Sequence, residues 1–531
     1  LRLALTGATA LTRVRAVSLG GATVPAGTAT MEEQFRDPPA SARSRVWWHW
    51  MNGNISKDGI AKDLAWMKRV GIGGVQNFDA SLNTPQVVDK RLVYLTPEWK
   101  DAFRFATREA DRLGLELAIA ASPGWSETGG PWVRPEDGLK KLVWSETEVS
   151  GGRRFSGRLA APPSATGPFQ SIAKGSGIGS MLSGDKGPQA PSFYRDVAVV
   201  AYPVAAAAAP QPAPVVRDGT GTLLDGAALT DADLNTTMPL ERPGQGVPAV
   251  VLEYAAPRTV RAATLFVPGS AALFVGASYA PVLEASDDGV AWRHVADIDL
   301  SPVPTTAGFA PVTARHFRVA FQPGRNAPLA AMGSPAPGID LAGLGATLGA
   351  LGAGAAARGK SKPVQVGELR LWAEDRIDEF EAKAGFEVKP DYFALSQGVP
   401  ETAGVDPAKV VDLTARMKPD GTLDWNPPAG RWRVLRLGYS LLGTMNHPAP
   451  PEATGLEVDK FDGAAVRRYL DHYIAMYRDA AGEGMIGQRG VQAILTDSIE
   501  VGAANWTPAL IAQFRRLRGY DPVPWLPALT G

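Results

Sequence analysis

Residues 45–120 alternate strand and helix patterns with short connections, and this alternation restricts the fold more than any other feature of the chain. Apolar residues at helical spacing predict two helices, one ending near Gly71 and one running over 96–114. The runs Gly74–Phe78 and Leu115–Ala120 are predicted to be buried strands. Because strand–helix–strand units connect parallel strands with a right-handed crossover, we predict an α/β fold here.

A different pattern follows. From about residue 150, short alternating apolar runs are separated by Pro, Gly and Ala, which is typical of all-β sandwich modules. The α/β pattern returns after this region, and the apolar run Val491–Leu495 is predicted to be a further buried strand. The simplest interpretation is one α/β unit interrupted by a β-sandwich insertion.

The α/β unit is predicted to be a (β/α)8 barrel of the TIM type. Three strands are recognisable before the insertion and one or two after it, whereas a closed barrel needs eight, so we expect an incomplete barrel in this chain. The predicted organisation has four parts, with one sandwich inside the insertion at about 245–376. They are a residual export signal or disordered segment (1–30), the first barrel part (31–149), the β-rich insertion (150–440) and the continuation of the barrel (441–531).

Composition excludes several kinds of chemistry. The 54 basic residues equal the 54 acidic ones, so the chain has no overall basic charge for nucleic acid. Without cysteine, thiolate nucleophiles and cysteine-bound metals are excluded, and the five histidines form no zinc-binding motif. We predict no membrane span. The chemistry is left to carboxylates, amides, hydroxyls and aromatic rings.

The first 30 residues resemble an altered export signal, with small residues near position 26 that suit a cleavage site. Arg13 and Arg15 interrupt its apolar centre. We expect a periplasmic or secreted protein, with a cytoplasmic location as the alternative.

An aromatic cluster at residues 47–52 suggests a ligand site at the end of the first strand. His49, Trp50 and Asn52 are candidate substrate-binding residues, because indole packs on the C–H faces of sugars while imidazole and amide groups bind hydroxyls. Barrel chemistry takes place at the carboxyl ends of strands. A role in the strand's core is the alternative for part of the cluster.

Three more candidate substrate-binding residues follow the next two strands or lie near their ends. They are Asn77, Asp79 and Trp125. Polar groups at such positions suit a polyhydroxylated ligand, whereas ordinary loop and capping roles are the alternative.

Asp497 and Glu500 directly follow the last predicted strand. A carboxyl group packed at the mouth of a barrel can have a raised pKa and retain a proton for a leaving group, so we predict Glu500 to be catalytic and Asp497 to support it. The alternative is helix capping or pairing with Arg515 or Arg516.

Glu457 and Asp459 form a third acidic pair. Strand alternation would point both side chains to the same side, which makes them candidate substrate-binding residues. A charge-paired strand on the surface explains the pattern equally well.

Several segments together resemble the α-L-rhamnosidases of glycoside hydrolase family 106. Their combined order is far more specific than any one of them. The segments are Arg45–Gly53, Ser122–Trp125, Gly455–Phe461, Thr496–Glu500, Asn505–Thr507 and Arg518–Pro522. A weaker resemblance to a galactose-binding-like, discoidin-type sandwich lies at Glu284–Trp292, Ala314–Val319 and Val366–Leu371.

The family resemblance implies a (β/α)8 catalytic barrel with β-sandwich insertions and removal of terminal α-L-rhamnosyl units with inversion. It implies Glu500 as the general acid, a general base downstream of this chain, and calcium in at least some members. The expected partner is a rhamnose-containing glycoside or polysaccharide. A non-catalytic carbohydrate-binding protein and a glycosidase for another sugar are the alternatives.

Overall fold

The computed structural model describes residues 31–81, 84–173, 191–204, 212–272, 276–324, 363–389, 392–395, 404–496, 499 and 501–531. Within these residues the helices are α1 (Met31–Arg36), α2 (Lys57–Arg69), α3 (Pro97–Leu113), α4 (Phe380–Lys383), α5 (Gly463–Ala481) and α6 (Leu510–Arg518). The strands of the α/β region are β1 (Arg45–Met51), β2 (Gly74–Ala80) and β3 (Glu116–Ala120).

The strands that follow β3 lie mostly in the insertion. They are β4 (Lys140–Ser150), β5 (Phe155–Arg158), β6 (Tyr194–Val204), β7 (Val215–Asp218), β8 (Met238–Leu240), β9 (Ala249–Phe266), β10 (Ala271–Ala272), β11 (Gly276–Ala277), β12 (Tyr279–Ser286), β13 (Arg293–Asp297), β14 (Thr305–Pro323), β15 (Val364–Val366), β16 (Glu368–Trp372), β17 (Val411–Asp412), β18 (Thr422–Trp425) and β19 (Arg431–Leu441). The last strand, β20 (Val491–Leu495), returns to the α/β region.

The α/β region contains a parallel sheet with the order β1-β2-β3-β20. The predicted α/β class is therefore confirmed, and β20 joins β3 across the whole insertion. Among the described residues this sheet has four strands and is not closed into a barrel.

Local signals explain the helices beside this sheet. The Ser56 hydroxyl accepts a hydrogen bond from the amide of Gly59 at the start of α2, and Thr96 caps α3 in the same way. The helix α3 ends at Gly114, whose φ of 67° is a left-handed conformation that glycine adopts without strain. Helices α2, α3 and α5 pack on one face of the sheet around the buried side chains of Leu64 and Trp99.

One antiparallel sheet of the insertion has the order β17-β6-β19-β4. Its strand β4 pairs with β19 from Lys140↔Leu441 to Ser150↔Arg431. This pairing begins ten residues before the predicted boundary at 150. The first half of β4 is buried, and most of the second half is partly or fully exposed.

A second antiparallel sheet has the order β13-β12-β14-β9-β16, and β7 also pairs with β9. The sequence pattern predicts short, separate strands in this region, but the apolar runs Val250–Tyr254 and Thr264–Val267 both fall mostly within the single strand β9. The register between β9 and β14 shifts twice, between Gly308 and Val312 and between Ala314 and His316. These irregularities accommodate the Pro257 segment, so one long strand replaces two short ones.

Candidate active site

The carboxyl ends of the four parallel strands meet at one edge of the sheet. The amide of Asn52, just after β1, donates to the carbonyl of Ala80 at 2.6 Å, and the amide of Ala121, just after β3, donates to Leu495 at 2.8 Å. The segments that follow all four strands are therefore held side by side. This is the edge where α/β folds build their functional sites.

His49 and Trp125 form a direct pair at this edge. The Trp125 indole Nε1–H donates to His49 Nε2 over 2.9 Å. The His49 ring stacks on Phe78, with ring centroids 5.0 Å apart and planes inclined by 22°. The structure thus brings together two predicted substrate-binding residues from β1 and from the loop after β3.

The loop that carries Trp125 is anchored on both sides. The amide of Gly124 donates to the carbonyl of Asp79 at 2.7 Å, and the amide of Trp125 donates to the carbonyl of His447 at 2.9 Å. Gly124 has a φ of 82°, and a Cβ atom there would lie 2.6 Å from the backbone of His447. Only glycine fits this close approach, which locks the loop against residues 445–448.

Trp50, Asn77 and Asp79 lie on the opposite face of the sheet from His49. Trp50 packs edge-on against Trp99 at 5.8 Å, within the core beneath helix α3. Strand pairing therefore separates these three side chains from His49, and their predicted role in substrate binding stays a prediction. Successive side chains of a strand point to opposite faces, so one residue of offset moves a side chain from the His49 face to the helices.

Asp79 is a buried carboxyl group in aromatic surroundings. It accepts a hydrogen bond from Trp99 Nε1 at 2.9 Å, and its other oxygen has no hydrogen-bond partner among the described residues. Burial raises the pKa of Asp79 to about 8; the Trp99 hydrogen bond opposes this shift and the negative charge of Glu452 adds to it. At neutral pH this carboxyl group is mostly protonated.

Asn52 lies at the sheet edge as expected, in a turn that organises the next loop. Its φ is 49°, and its side-chain amide donates to the carbonyl of Thr84 at 2.7 Å. The carbonyl of Asn52 accepts from Arg91 at 3.3 Å. Asparagine tolerates this left-handed conformation better than most residues, which explains its position beside Gly53.

Glu457 and Asp459 are each only 1% exposed, so the alternative of a surface strand is wrong. Glu457 accepts a hydrogen bond from Thr128 at 3.0 Å and pairs with Lys460, while Asp459 pairs with the buried Lys140 at 3.5 Å. The two carboxylates therefore join the loop after β3 to the start of β4. Glu457 pairs with a lysine three residues away, whereas the partner of Asp459 comes from a distant part of the chain, which strand alternation does not reveal.

Asp497 and Glu500 lie outside the described residues. Described residues on either side have hydrogen bonds: the carbonyl of Leu495 accepts from the amide of Ala121 at the sheet edge, and the carbonyl of Val501 accepts from the Thr444 hydroxyl, after β19, at 3.2 Å. The arginines considered as alternative partners have other contacts. Arg515 pairs with Asp521 at 2.8 Å, and Arg516 donates to Gln513 at 2.7 Å.

Asn446 is the most important site residue that sequence reasoning missed. It is buried, and its amide donates to the carbonyls of Pro123 and Ala453 while its oxygen accepts from Gly455. These bonds hold the loop after β3 against the segment that leads to Glu457. A loop asparagine gives no periodic signal, and its partner Pro123 is far away in sequence.

The residues described by the structure offer no ready metal centre. No three His, Asp or Glu side chains among them form a group that could hold a metal ion. The buried acids Glu457 and Asp459 are instead paired with lysines. Among the described residues, no helix is long and apolar enough to cross a membrane.

A parallel sheet with an aromatic and polar carboxyl edge, joined to antiparallel sheets inserted before β20, defines a modular α/β protein with a candidate site at its strand ends. The chain belongs to the α-L-rhamnosidase family, glycoside hydrolase family 106, whose sequence profile matches residues 36–531. The predicted family membership is confirmed.

Two relatives show how much of a family protein this chain represents. It is 55% identical to the rhamnosidase of Novosphingobium sp. PP1Y, with a TM-score of 0.82 over 95% of this chain and 43% of that one. It is 26% identical over 502 residues to a Formosa agariphila protein described as "Putative beta-glucuronidase", over 94% of this chain and 26% of that protein. The chain spans less than half the length of both.

Proposed function

We propose that this chain carries part of the active site of an enzyme that removes terminal α-L-rhamnosyl units from glycosides or polysaccharides. The observation that carries the proposal is the family profile match over residues 36–531, together with 55% identity to a rhamnosidase. The sheet edge that holds His49, Trp125 and the residues flanking Asp497 and Glu500 is the proposed location of the chemistry.

In this proposal the four-stranded sheet is part of a (β/α)8 barrel, and Glu500 protonates the glycosidic oxygen as the bond breaks. An inverting reaction needs a second carboxylate that activates water, typically about 6.5–9.5 Å from the acid. We place that base downstream of this chain. Asp497 would support Glu500 from the same strand end, since a neighbouring negative charge favours the protonated form of the acid.

Binding of the sugar is assigned to the His49 face. The imidazole of His49 and the indole of Trp125 offer polar and aromatic contacts there, which suits the mixed surface of a deoxyhexose. Asn52 contributes by shaping the loop beside it. Trp50, Asn77 and Asp79 support the sheet from the helix side in this proposal.

Sugar specificity is tested by screening p-nitrophenyl glycosides with the protein that contains this chain. We expect release of nitrophenol from the α-L-rhamnoside and at most about 1% of that rate from the β-D-glucuronide, because a site that hydrogen-bonds one sugar's hydroxyls rejects a sugar that leaves them unpaired. Fucosides, mannosides and galactosides complete the series. Activity on a non-rhamnoside alone would contradict the assignment.

Calcium assistance stays a prediction from the family resemblance, and no step is assigned to it, because no group of three His, Asp or Glu side chains that could hold a metal ion occurs among the described residues. We expect that EDTA lowers the rate on the aryl rhamnoside and that excess Ca²⁺ restores it. Magnesium is the matched control, since it demands a smaller, more regular shell of oxygen ligands. An EDTA-treated enzyme with an unchanged rate would remove calcium from the proposal.

We also propose that the protein is exported to the periplasm or secreted. The support is the signal-like composition of residues 1–30, which lie outside the described residues. Fractionation of producing cells, followed by N-terminal sequencing, tests this proposal, and full-length protein found only in the cytoplasm would contradict it.

A further inference from the structure

The hydrogen bond between Trp125 and His49 carries information about where the imidazole proton lies. An indole Nε1–H is a donor only, so the ring nitrogen that receives it must be an acceptor. The contact joins Trp125 Nε1 to His49 Nε2 at 2.9 Å. His49 Nε2 therefore carries no proton, and the single proton of the neutral ring is on Nδ1.

The His49 ring is held in one orientation by several contacts. Phe78 stacks on its face at 5.0 Å, Trp47 meets its edge at 5.7 Å, and Trp125 approaches at 81° to its plane. Trp125 is fixed in turn by its backbone hydrogen bond to His447. A ring held in this way presents a hydrogen-bonding group in a constant direction, which is what recognition of one hydroxyl pattern requires.

We propose that Trp125 is a positioning residue that holds His49 in the neutral form protonated at Nδ1, so that His49 acts as a hydrogen-bond donor in the sugar site. The donor would bind a hydroxyl or ring oxygen of the sugar. This role in binding rests on the proposed function, whereas the position of the proton does not.

The position of the proton is measured directly by nitrogen NMR on the chain labelled with ¹⁵N-histidine. The chain has five histidines, so the spectrum is small, and the His49→Asn variant identifies the His49 signals. We expect wild-type His49 to show a protonated Nδ1 and an unprotonated Nε2. In Trp125→Phe, which keeps an aromatic ring but lacks the donor, we expect signal from the form protonated at Nε2 to appear.

Two variants of His49 distinguish a hydrogen-bond donor to the sugar from a residue that only supports Trp125. The amide nitrogen of Asn is two bonds beyond Cβ, as Nδ1 is, whereas the amide of Gln reaches the position of Nε2. We expect both variants to weaken L-rhamnose binding, and His49→Gln to weaken it about tenfold more than His49→Asn, the usual effect of one lost hydrogen bond. If His49 only supported Trp125, His49→Gln would bind L-rhamnose more tightly than His49→Asn.

The outcomes distinguish this proposal from the proposed function. A wild-type His49 protonated at Nε2 overturns the proposal, as does a nitrogen spectrum that Trp125→Phe leaves unchanged. If Trp125→Phe does not fold, the wild-type spectrum still shows which ring nitrogen of His49 carries the proton. A His49 protonated at Nδ1 in a protein that neither binds nor hydrolyses rhamnosides supports the positioning role of Trp125, overturns the sugar-donor role, and shows that the proposed function itself is wrong.

Discussion

Replacing Glu500 by glutamine is expected to lower kcat/KM for p-nitrophenyl α-L-rhamnoside by about 10²-fold, and by up to about 10⁴-fold for an alkyl rhamnoside. The difference arises because nitrophenolate leaves readily without a proton, whereas an alkoxide does not. The expected outcome is thus a loss that grows as the leaving group becomes poorer. The measurement is a comparison of the two substrates with wild-type and variant enzyme.

The control for this experiment is Glu483→Gln, which changes an exposed carboxylate between α5 and β20. Binding of L-rhamnose, measured by calorimetry, should persist in Glu500→Gln, because the acid acts on the bond that breaks. An equal loss for both substrates would assign Glu500 another role, such as activating water. Unchanged turnover would remove it from the mechanism, and ligand binding without turnover in the wild type would favour the non-catalytic alternative.

The Asp79→Asn variant is expected to gain stability relative to wild type as the pH rises. The pKa of Asp79 is raised by burial from 3.8 to about 8, so between these values the folded chain holds a proton that the unfolded chain has lost. The free energy of unfolding of the wild type therefore falls with pH by about 1.4 kcal/mol per unit from this group. Asparagine removes that dependence, which amounts to about 3 kcal/mol between pH 5 and pH 7.

This effect is measured as a difference between two proteins at two pH values. Urea unfolding, monitored by hydrogen exchange of the α3 amides, reports the stability of the core around Trp99. Burial also raises the pKa of Glu381 to about 8, but Glu381 is present in both proteins and its contribution cancels. Asp89→Asn, an exposed change in the same region, is the matched control. A stability difference that stays constant from pH 5 to pH 7 would contradict the prediction.

Sequence reasoning succeeded where the physical signal is local. The cap at Thr96, the apolar spacing of α3 and the left-handed Gly114 all lie within one helix, and the structure places that helix at Pro97–Leu113. The strand β20 was found over its full length because it is a short, mostly apolar run between turns, although only Val491 in it is buried. Such signals depend on neighbours within a few residues, so a single sequence contains them.

The errors arose where the decisive partner is distant. Strand β9 remains continuous past Pro257 because β14 shifts register to meet it, and nothing near Pro257 indicates this. Likewise, the burial of Asp459 depends on Lys140, which lies in a different part of the chain. The exposed or buried state of a charged residue is decided by such pairing, since an unpaired charge would not be stable inside the protein.

The sequence by itself therefore determined the α/β class, the interruption by β-rich sheets and, through its ordered motifs, the family. Only the tertiary structure decided that His49 meets Trp125, while Trp50 and Asp79 face the helices. The physical reason is that a strand's alternation defines two faces but does not say which face the helices cover. That choice is made when α3 and α5 pack on one side of the sheet and the loop after β3 closes over the other.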